Sequence, residues 1–293
     1  MLFCTWNLPF DLHIDNFFLY IRTTVDSQTR REKALDLLDQ KGELTVAELS
    51  QLTGASPMTI RRDLEVFEQE GALRRVHGGA ISVASRGYLP PYSVREKRDL
   101  AAKALIGAAA ASMIGERETV ILDVGTTTLE TARALRGRRN VTVLTSSLHI
   151  ANVLAKEPGI RLMVTGGTVS PGDLSLIGDL AEDAFSRLRF DTLVMGVAGL
   201  DADVGCTEFS TDDARVKRAA LATVRRCIVV ADSSKLGVVT FARICPLDSV
   251  SVVVTDDRAN PEQLAALEST HVEVVVTGRD NDRRRSSVSL SEA

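Results

Sequence analysis

Seven apolar runs, separated by segments with helical periodicity, constrain the fold of this 293-residue chain more than any other feature. Most of them are continuously apolar, which is typical of strands buried on both faces. The predicted strands are residues 120–123, 141–145, 161–165, 192–197, 227–231, 250–255 and 272–276. The predicted helices between them are residues 128–135, 148–155, 180–188, 212–224 and 261–267. This alternation predicts an α/β domain at residues 97–277, with a mostly parallel sheet covered by helices.

Polar residues and glycines follow these strands, at the edge where parallel sheets bind ligands. After the first strand come Gly125, Thr126, Thr127 and Thr128, just before a helix. A turn of this kind exposes backbone amides at the positive end of the helix dipole, which favours phosphate. Capping of the helix by Thr128 is an equally good interpretation. The polar residues at other strand ends are Ser146, Ser147, Gly166, Gly167, Gly199, Asp201 and Asp232.

Charged residues near these ends suggest what the ligand would be. Asp123 and Asp201 are candidates to accept sugar hydroxyls, and Lys217 and Lys235 are candidates to neutralise a phosphate. Two simpler interpretations stay open: Asp232 and Ser233 could cap the next turn, and Lys217 could pair with Asp213 four residues earlier. The convergence of several clusters predicts a polyhydroxylated, anionic ligand.

Residues 29–84 have the pattern of a winged helix-turn-helix. A first helix is predicted at residues 30–40, and Thr45 and Glu48 have the spacing of a capping box at the start of a second. Ser56 and Pro57 are typical of the first positions of a third helix. Its apolar side leaves Met58, Thr59, Arg61 and Arg62 facing outward, as in helices that enter the major groove.

A glycine pair after this helix predicts a β-wing at residues 73–81. Arg74, Arg75 and His77 would lie along the DNA backbone or the minor groove. Because the net charge of the chain is −4, any DNA-binding surface must be local. A helical dimerisation module with solvated arginines is the alternative interpretation.

The remaining segments are less regular. Residues 1–28 are an atypical extension, either translated upstream of a natural start near Val25 or a real segment that packs on the body. Residues 85–96 are predicted as a linker and residues 278–293 as a disordered tail. The four cysteines show no paired short spacing, so neither a zinc site nor a disulfide framework is expected. No cofactor is expected. No apolar run reaches the roughly 18 residues that span a bilayer, and we expect a cytoplasmic protein.

Two motifs make the sequence resemble a known family. Residues 59–64, TIRRDL, and residues 75–80, RVHGGA, are in combination specific to the DeoR family of bacterial regulators. The resemblance extends through about residue 277. It implies DNA contacts from Ser56, the outward side of the third helix and the wing, and a sensor similar in fold to ribose-5-phosphate isomerase. It also implies a phosphosugar effector whose phosphate binds at Gly125–Thr128. The chain departs from the family at Ser146, where members often have asparagine.

The predicted function is that of a repressor of carbohydrate catabolism genes, released from operator DNA by a phosphorylated sugar or a related metabolite. A single helix-turn-helix recognises a short half-site, so a homo-oligomer is expected. The alternatives are an isomerase-like enzyme fused to a DNA-binding module and a scaffold that binds only protein. Catalysis is not expected, since Val216 stands where related isomerases carry a glutamate before the lysine.

Overall fold

The computed structural model describes residues 27, 29–31, 33–38, 41–69, 72–82 and 90–278. The chain divides into two units, Met1–Ala84 and Ser85–Ala293. Apart from Ser27 and Gly278, the predicted extension and tail lie outside the described residues, as does the start of the predicted linker.

In the N-terminal unit, helices pack with a small antiparallel sheet. Residues 29–31 and 33–38 are helical. The next helices are α1 (Val46–Thr53) and α2 (Pro57–Gln69), and the strands are β1 (Glu43–Thr45), β2 (Leu73–Val76) and β3 (Gly79–Ser82), in the order β1-β3-β2. Buried Leu38, Leu49, Ile60, Leu64 and Phe67 form the core. The predicted wing is the β2–β3 hairpin, whereas sequence reasoning missed β1.

Thr45 has two roles at the junction of β1 and α1. Its hydroxyl accepts a hydrogen bond from the Glu48 amide (3.2 Å), and the Glu48 carboxylate accepts one from the Thr45 amide (2.8 Å). These reciprocal bonds confirm the predicted capping box. They satisfy amides that have no partner within the helix, and so fix where the strand ends and α1 begins.

A seven-stranded parallel sheet forms the centre of the C-terminal unit, in the order β15-β14-β12-β9-β4-β5-β6. Its strands are β4 (Thr119–Leu122), β5 (Val141–Thr145), β6 (Ile160–Val164), β9 (Phe190–Gly196), β12 (Val224–Val230), β14 (Val252–Asp256) and β15 (Glu273–Thr277). They confirm the predicted α/β class. Shorter strands lie outside it: β7 (Thr168–Val169), β8 (Leu176–Ile177), β10 (Gly199–Asp201), β11 (Gly205–Glu208) and β13 (Ala242–Cys245).

Helices cover both faces of this sheet. They are α3 (Tyr92–Lys97), α4 (Leu100–Ser112), α5 (Thr126–Ala134), α6 (Leu148–Leu154), α7 (Asp179–Ser186), α8 (Thr211–Leu221) and α9 (Pro261–Glu268). Alternate residues of one strand enter two different apolar clusters: Ile121 belongs to one, and Val120 and Leu122 belong to the other. Burial on both faces explains why the strands are continuously apolar. Among the described residues, no helix has the length and apolar character required to cross a bilayer.

Two of these helices were not predicted. Most of α3 falls within the predicted linker, residues 85–96. The helix is part of the folded unit, since its Tyr92 side chain is buried. Helix α4 has no ordinary amphipathic pattern: its lysine, Lys103, is buried, whereas Leu100 and Leu105 are 47% and 51% exposed. It packs on α5 through Gly107, where an added Cβ would lie 2.6 Å from the backbone of Glu130. Close packing through small residues leaves little periodic signal in the sequence.

Candidate functional site

The N-terminal half of α2 presents the predicted DNA-contacting side chains. Met58 is 71% exposed, and Arg61 and Arg62 are also exposed, whereas Thr59 is half-buried. Ser56 is exposed and caps the helix, accepting a hydrogen bond from the Thr59 amide at 3.2 Å. Its hydroxyl also lies 2.8 Å from the Thr59 hydroxyl. The first turn therefore combines a fixed start with an exposed side.

Asp63, which sequence reasoning missed, controls the charge of this helix. Its carboxylate is buried and accepts hydrogen bonds from Arg30 Nε (2.8 Å) and Arg31 Nε (2.7 Å). Within the described part of the chain, neither Arg61 nor Arg62 takes part in an ion pair of 4 Å or less. The Asp63 carboxylate is thus neutralised by Arg30 and Arg31. The charges of Arg61 and Arg62 remain available to a polyanion.

The wing places the other predicted contacts on β2 and at the hairpin turn. Arg75 is exposed, and its Nη1 lies 3.9 Å from Glu65 and 3.8 Å from Glu68 on α2. His77 is exposed at the turn. Arg74 pairs with Ile81 across the hairpin, and its side chain lies outside the described residues. The Arg75 contacts are long and exposed, so a phosphate could replace them at little cost.

In the C-terminal unit, the ends of neighbouring strands bring together polar residues that are far apart in the sequence. Asp123 follows β4, Ser146 and Ser147 follow β5, and Asp232 follows β12. All four are buried. The Ser147 hydroxyl caps α6 by accepting from the Ile150 amide at 3.3 Å. The predicted convergence at this edge of the sheet is therefore present.

The turn from β4 to α5 has the features of an anion-binding loop. Gly125 is the N-cap residue of α5 with φ +150°, and no side chain caps the helix. Thr128 therefore does not cap the helix; it lies in the first turn, with Thr126 and Thr127. Its hydroxyl is buried and makes no hydrogen bond to any described residue. The first amides of α5 have no acceptor within the helix, so they can receive an anion.

Lys217 and Asp123, predicted as separate ligand contacts, neutralise each other. The Lys217 ammonium donates to the Asp123 carboxylate and to the Gly196 carbonyl (2.8 Å), and lies 3.4 Å from Glu208. Burial opposes its charge, but the carboxylates of Asp123 and Glu208 outweigh this and raise the pKa of Lys217. The Lys217–Asp213 alternative is not the ion pair found here.

A second charged cluster lies around the end of β12. Asp232 caps the short helix Ser233–Lys235 and accepts from the Ser234 amide at 3.1 Å, as the simpler interpretation predicted. Burial favours the neutral acid, but Lys235 and Lys103 outweigh it and lower the pKa of Asp232. The Lys103 ammonium donates to the backbone carbonyls of Arg95 and Arg98 (2.6 Å to Arg98). Burial lowers the pKa of Lys103 to about 8. A single lysine in an apolar helix was the only sequence signal for it.

The other predicted residues serve turns or close backbone contacts. Asp201 accepts from the amides of Asp203 (3.0 Å) and Val204 (2.9 Å). At Gly199, an added Cβ would lie 2.3 Å from the Val238 carbonyl oxygen. Gly166 and Gly167 follow β6 with φ +80° and +112°. In the described residues we found no group of histidine, cysteine and carboxylate side chains that could hold a metal ion.

Comparison with known proteins gives two family matches. Residues 30–86 match the DeoR-like helix-turn-helix domain, and residues 98–257 match the DeoR C terminal sensor domain. The transcriptional repressor AccR of Agrobacterium fabrum is 37% identical, over 78% of this chain and 90% of that protein. The glycerol-3-phosphate regulon repressor of Escherichia coli K12 is 30% identical, over 84% and 98%.

A search of solved structures finds ribose 5-phosphate isomerase A from Methanocaldococcus jannaschii. Its sequence identity is 13% and its TM-score 0.35, over 45% of this chain and 52% of that one.

Proposed function

The chain belongs to the DeoR family of transcriptional regulators, and on that premise we propose that it is a repressor of carbohydrate catabolism genes. In this proposal the N-terminal unit binds operator DNA. Binding of a phosphorylated sugar by the C-terminal unit releases the protein from the operator. The observation that carries the proposal is the combination of an exposed arginine pair on α2 with an uncapped, glycine-led helix start at α5. The regulator would act where the chromosome is, in the cytoplasm, and as a homo-oligomer on repeated half-sites.

The DNA-binding half of the proposal rests on exposure and charge. Arginines at the start of a helix in the major groove can donate two hydrogen bonds to guanine or bind phosphate. The proposed DNA contacts are Ser56, Met58, Thr59, Arg61, Arg62, Arg74, Arg75 and His77.

The effector half rests on the amides and hydroxyls at the start of α5. A phosphate placed there would accept from the amides of Thr126, Thr127 and Thr128, and Lys235 supplies a positive charge near the same edge of the sheet. The proposed effector residues are Asp123, Gly125, Thr126, Thr127, Thr128, Ser146, Ser147, Gly166, Gly167, Gly199, Asp201, Lys217, Asp232 and Lys235. Because Asp123 and Lys217 are already paired, they would act mainly by holding Gly196 and the loop in position.

Release from DNA follows from linkage between the two sites. An effector that binds the free repressor more tightly than the operator-bound form lowers operator affinity by the difference, about 1–3 kcal/mol in typical cases. The residues between the wing and α3 connect the two units in the chain, so they are the covalent route for this coupling.

Family membership and the structure both disfavour the isomerase alternative. The residue before Lys217 is the buried Val216, which offers no carboxylate base. Lys217 itself is held by Asp123, Glu208 and the Gly196 carbonyl, so its ammonium is not available to polarise a substrate carbonyl.

Fluorescence anisotropy would test the proposal, using labelled DNA from upstream of the operon that encodes this chain. We expect tight binding, reversed by a sugar phosphate. Thr127→Ala should keep operator binding and lose the response, because the substitution removes the Thr127 hydroxyl from the proposed phosphate site. A Thr127→Ala protein that responds like wild type would contradict the assignment of the loop, and tight binding that no sugar phosphate reverses would contradict the effector class.

A further inference from the structure

Several polar atoms of the C-terminal unit are buried without a hydrogen-bond partner among the described residues, and three of them are the Tyr92 hydroxyl, Nε2 of His149 and the Ser175 hydroxyl. Tyr92 is 4% exposed and Ser175 is 0% exposed. Leaving such groups unpaired costs folding free energy, so native structures rarely keep them without a reason. None of the three belongs to the anion-binding loop.

The three residues are connected through the start of α6. The rings of Tyr92 and His149 are stacked, with centroids 4.0 Å apart and planes 8° from parallel. His149 is in the first turn of α6, two residues after Ser147. Ser147 pairs with Ser175 in an antiparallel bridge. On either side of it, the Leu148 amide donates to the Leu174 carbonyl and the Leu176 amide donates to the Ser146 carbonyl. Paired residues of this kind point their side chains to one face, so Ser175 lies beside the start of α6.

The charges around this cluster are already compensated. The Arg95 guanidinium lies over the Tyr92 ring, 5.4 Å from its centroid, and donates to Asp173 at 2.6 Å. Arg133 is paired with Glu96 (3.0 Å) and Glu130 (2.5 Å). Among the described residues, these two arginines therefore leave no unbalanced positive charge for an anionic group. Burial raises the pKa of the Tyr92 hydroxyl, which stays a hydrogen-bond donor at neutral pH.

The cluster is next to the anion-binding loop. Strands β4 and β5 are neighbours in the sheet, and α5 and α6 begin at their ends. Adjacent strands are about 4.8 Å apart, so the two helix starts lie side by side. Helix α3, which carries Tyr92, packs on α5.

We propose that Tyr92, His149 and Ser175 form a second subsite, which binds hydroxyl groups on the uncharged carbon chain of the effector. Two hydroxyls and an imidazole nitrogen can each exchange hydrogen bonds with an alcohol, so the subsite fits a polyol and not a second anion. The inference rests on the proposed function, because it assumes that the phosphate binds at Gly125–Thr128. The subsite extends the proposed function, because its three residues would favour a long sugar phosphate over a short one.

Calorimetric titration with four probes tests the proposal: fructose 6-phosphate, glucitol 6-phosphate, glycerol 3-phosphate and inorganic phosphate. We expect Tyr92→Phe and Ser175→Ala each to weaken the six-carbon probe that wild type binds best by about five- to tenfold, the value of one neutral hydrogen bond. Binding of inorganic phosphate should not change. Thr255→Val is the matched control, because the Thr255 hydroxyl is also buried and unpartnered but lies on β14.

Thermal melting without any probe gives an independent measurement. Removing a buried hydroxyl that has no partner should leave the Tm unchanged or raise it, so a Tm several degrees lower in both variants would overturn the proposal. So would wild-type affinity of both variants for the six-carbon probe. Wild-type protein that binds none of the four probes would instead overturn the proposed function, and this subsite with it.

Discussion

The two units hold their candidate functional residues in opposite ways. On α2, Met58, Arg61 and Arg62 are exposed and carry their chemistry on the surface. In the C-terminal unit, Asp123, Thr128, Lys217 and Asp232 are buried. A surface that meets DNA must be accessible before DNA arrives, whereas the buried charges of Asp123, Lys217 and Asp232 are held by partners within the protein. The comparison teaches that residue type and helix position suffice to predict which side chains of α2 are exposed, while the buried pairs of the C-terminal unit depend on contacts between residues far apart in the chain.

The largest expected effect comes from breaking the buried ion pair of the C-terminal unit. Lys217→Met would leave the carboxylates of Asp123 and Glu208 buried without their cation. Loss of one partner of a buried pair typically costs about 3–5 kcal/mol. Urea denaturation should show this loss in the free energy of unfolding.

Arg136→Met is its control, since Arg136 is 64% exposed in its pair with Glu157 and exposed pairs contribute about 0–1 kcal/mol. Equal, small losses in both variants would mean that Lys217 and Asp123 are not the buried pair described here, and the contrast between the two units would fail.

An intermediate effect is expected from a substitution on the exposed surface of α2. Arg61→Ala should weaken operator binding by about 1–3 kcal/mol, roughly five- to 150-fold, with an unchanged Tm, because its side chain is exposed and makes no ion pair with a described residue. Anisotropy and thermal melting measure the two quantities. Arg225→Ala, at an 85% exposed arginine of the C-terminal unit, should leave operator binding as in wild type. A drop in Tm for Arg61→Ala would show that Arg61 is structural and not a DNA contact.

The smallest expected effect is a pH dependence at Lys103. Its pKa is about 8 in the folded protein and 10.5 without perturbation, so between these values the unfolded chain binds more protons. Stability from this group therefore rises with pH, by about 1 kcal/mol from pH 8 to 9. Denaturation of wild type and Lys103→Met at both pH values checks this. Their difference should move in favour of wild type at the higher pH; a difference that does not change would contradict a lowered pKa.

The sheet was predictable from the sequence because its central strands, such as β4 and β9, are buried on both faces, and local hydrophobicity reports that directly. The first turn of α2 and the capping box at Thr45 were also predictable from local sequence, because they depend on residues three or four apart. The Lys217–Asp123 pair was not, because the two residues are 94 positions apart. Helix α4 was missed because it buries its lysine and exposes two leucines, the reverse of the usual pattern.

The strand order has a consequence for synthesis of the chain on the ribosome. Strand β4, which leads into the Gly125–Thr128 loop, pairs with β9, and the Thr119–Asp191 contact between them joins residues 72 positions apart. Closing so long a loop is slow, and it cannot begin until β9 has been made. The described contacts of the N-terminal unit join residues closer in the chain, such as Arg30 with Asp63 and Glu43 with Ile81, and this unit emerges first. A growing chain therefore acquires its DNA-reading surface well before it can respond to a metabolite.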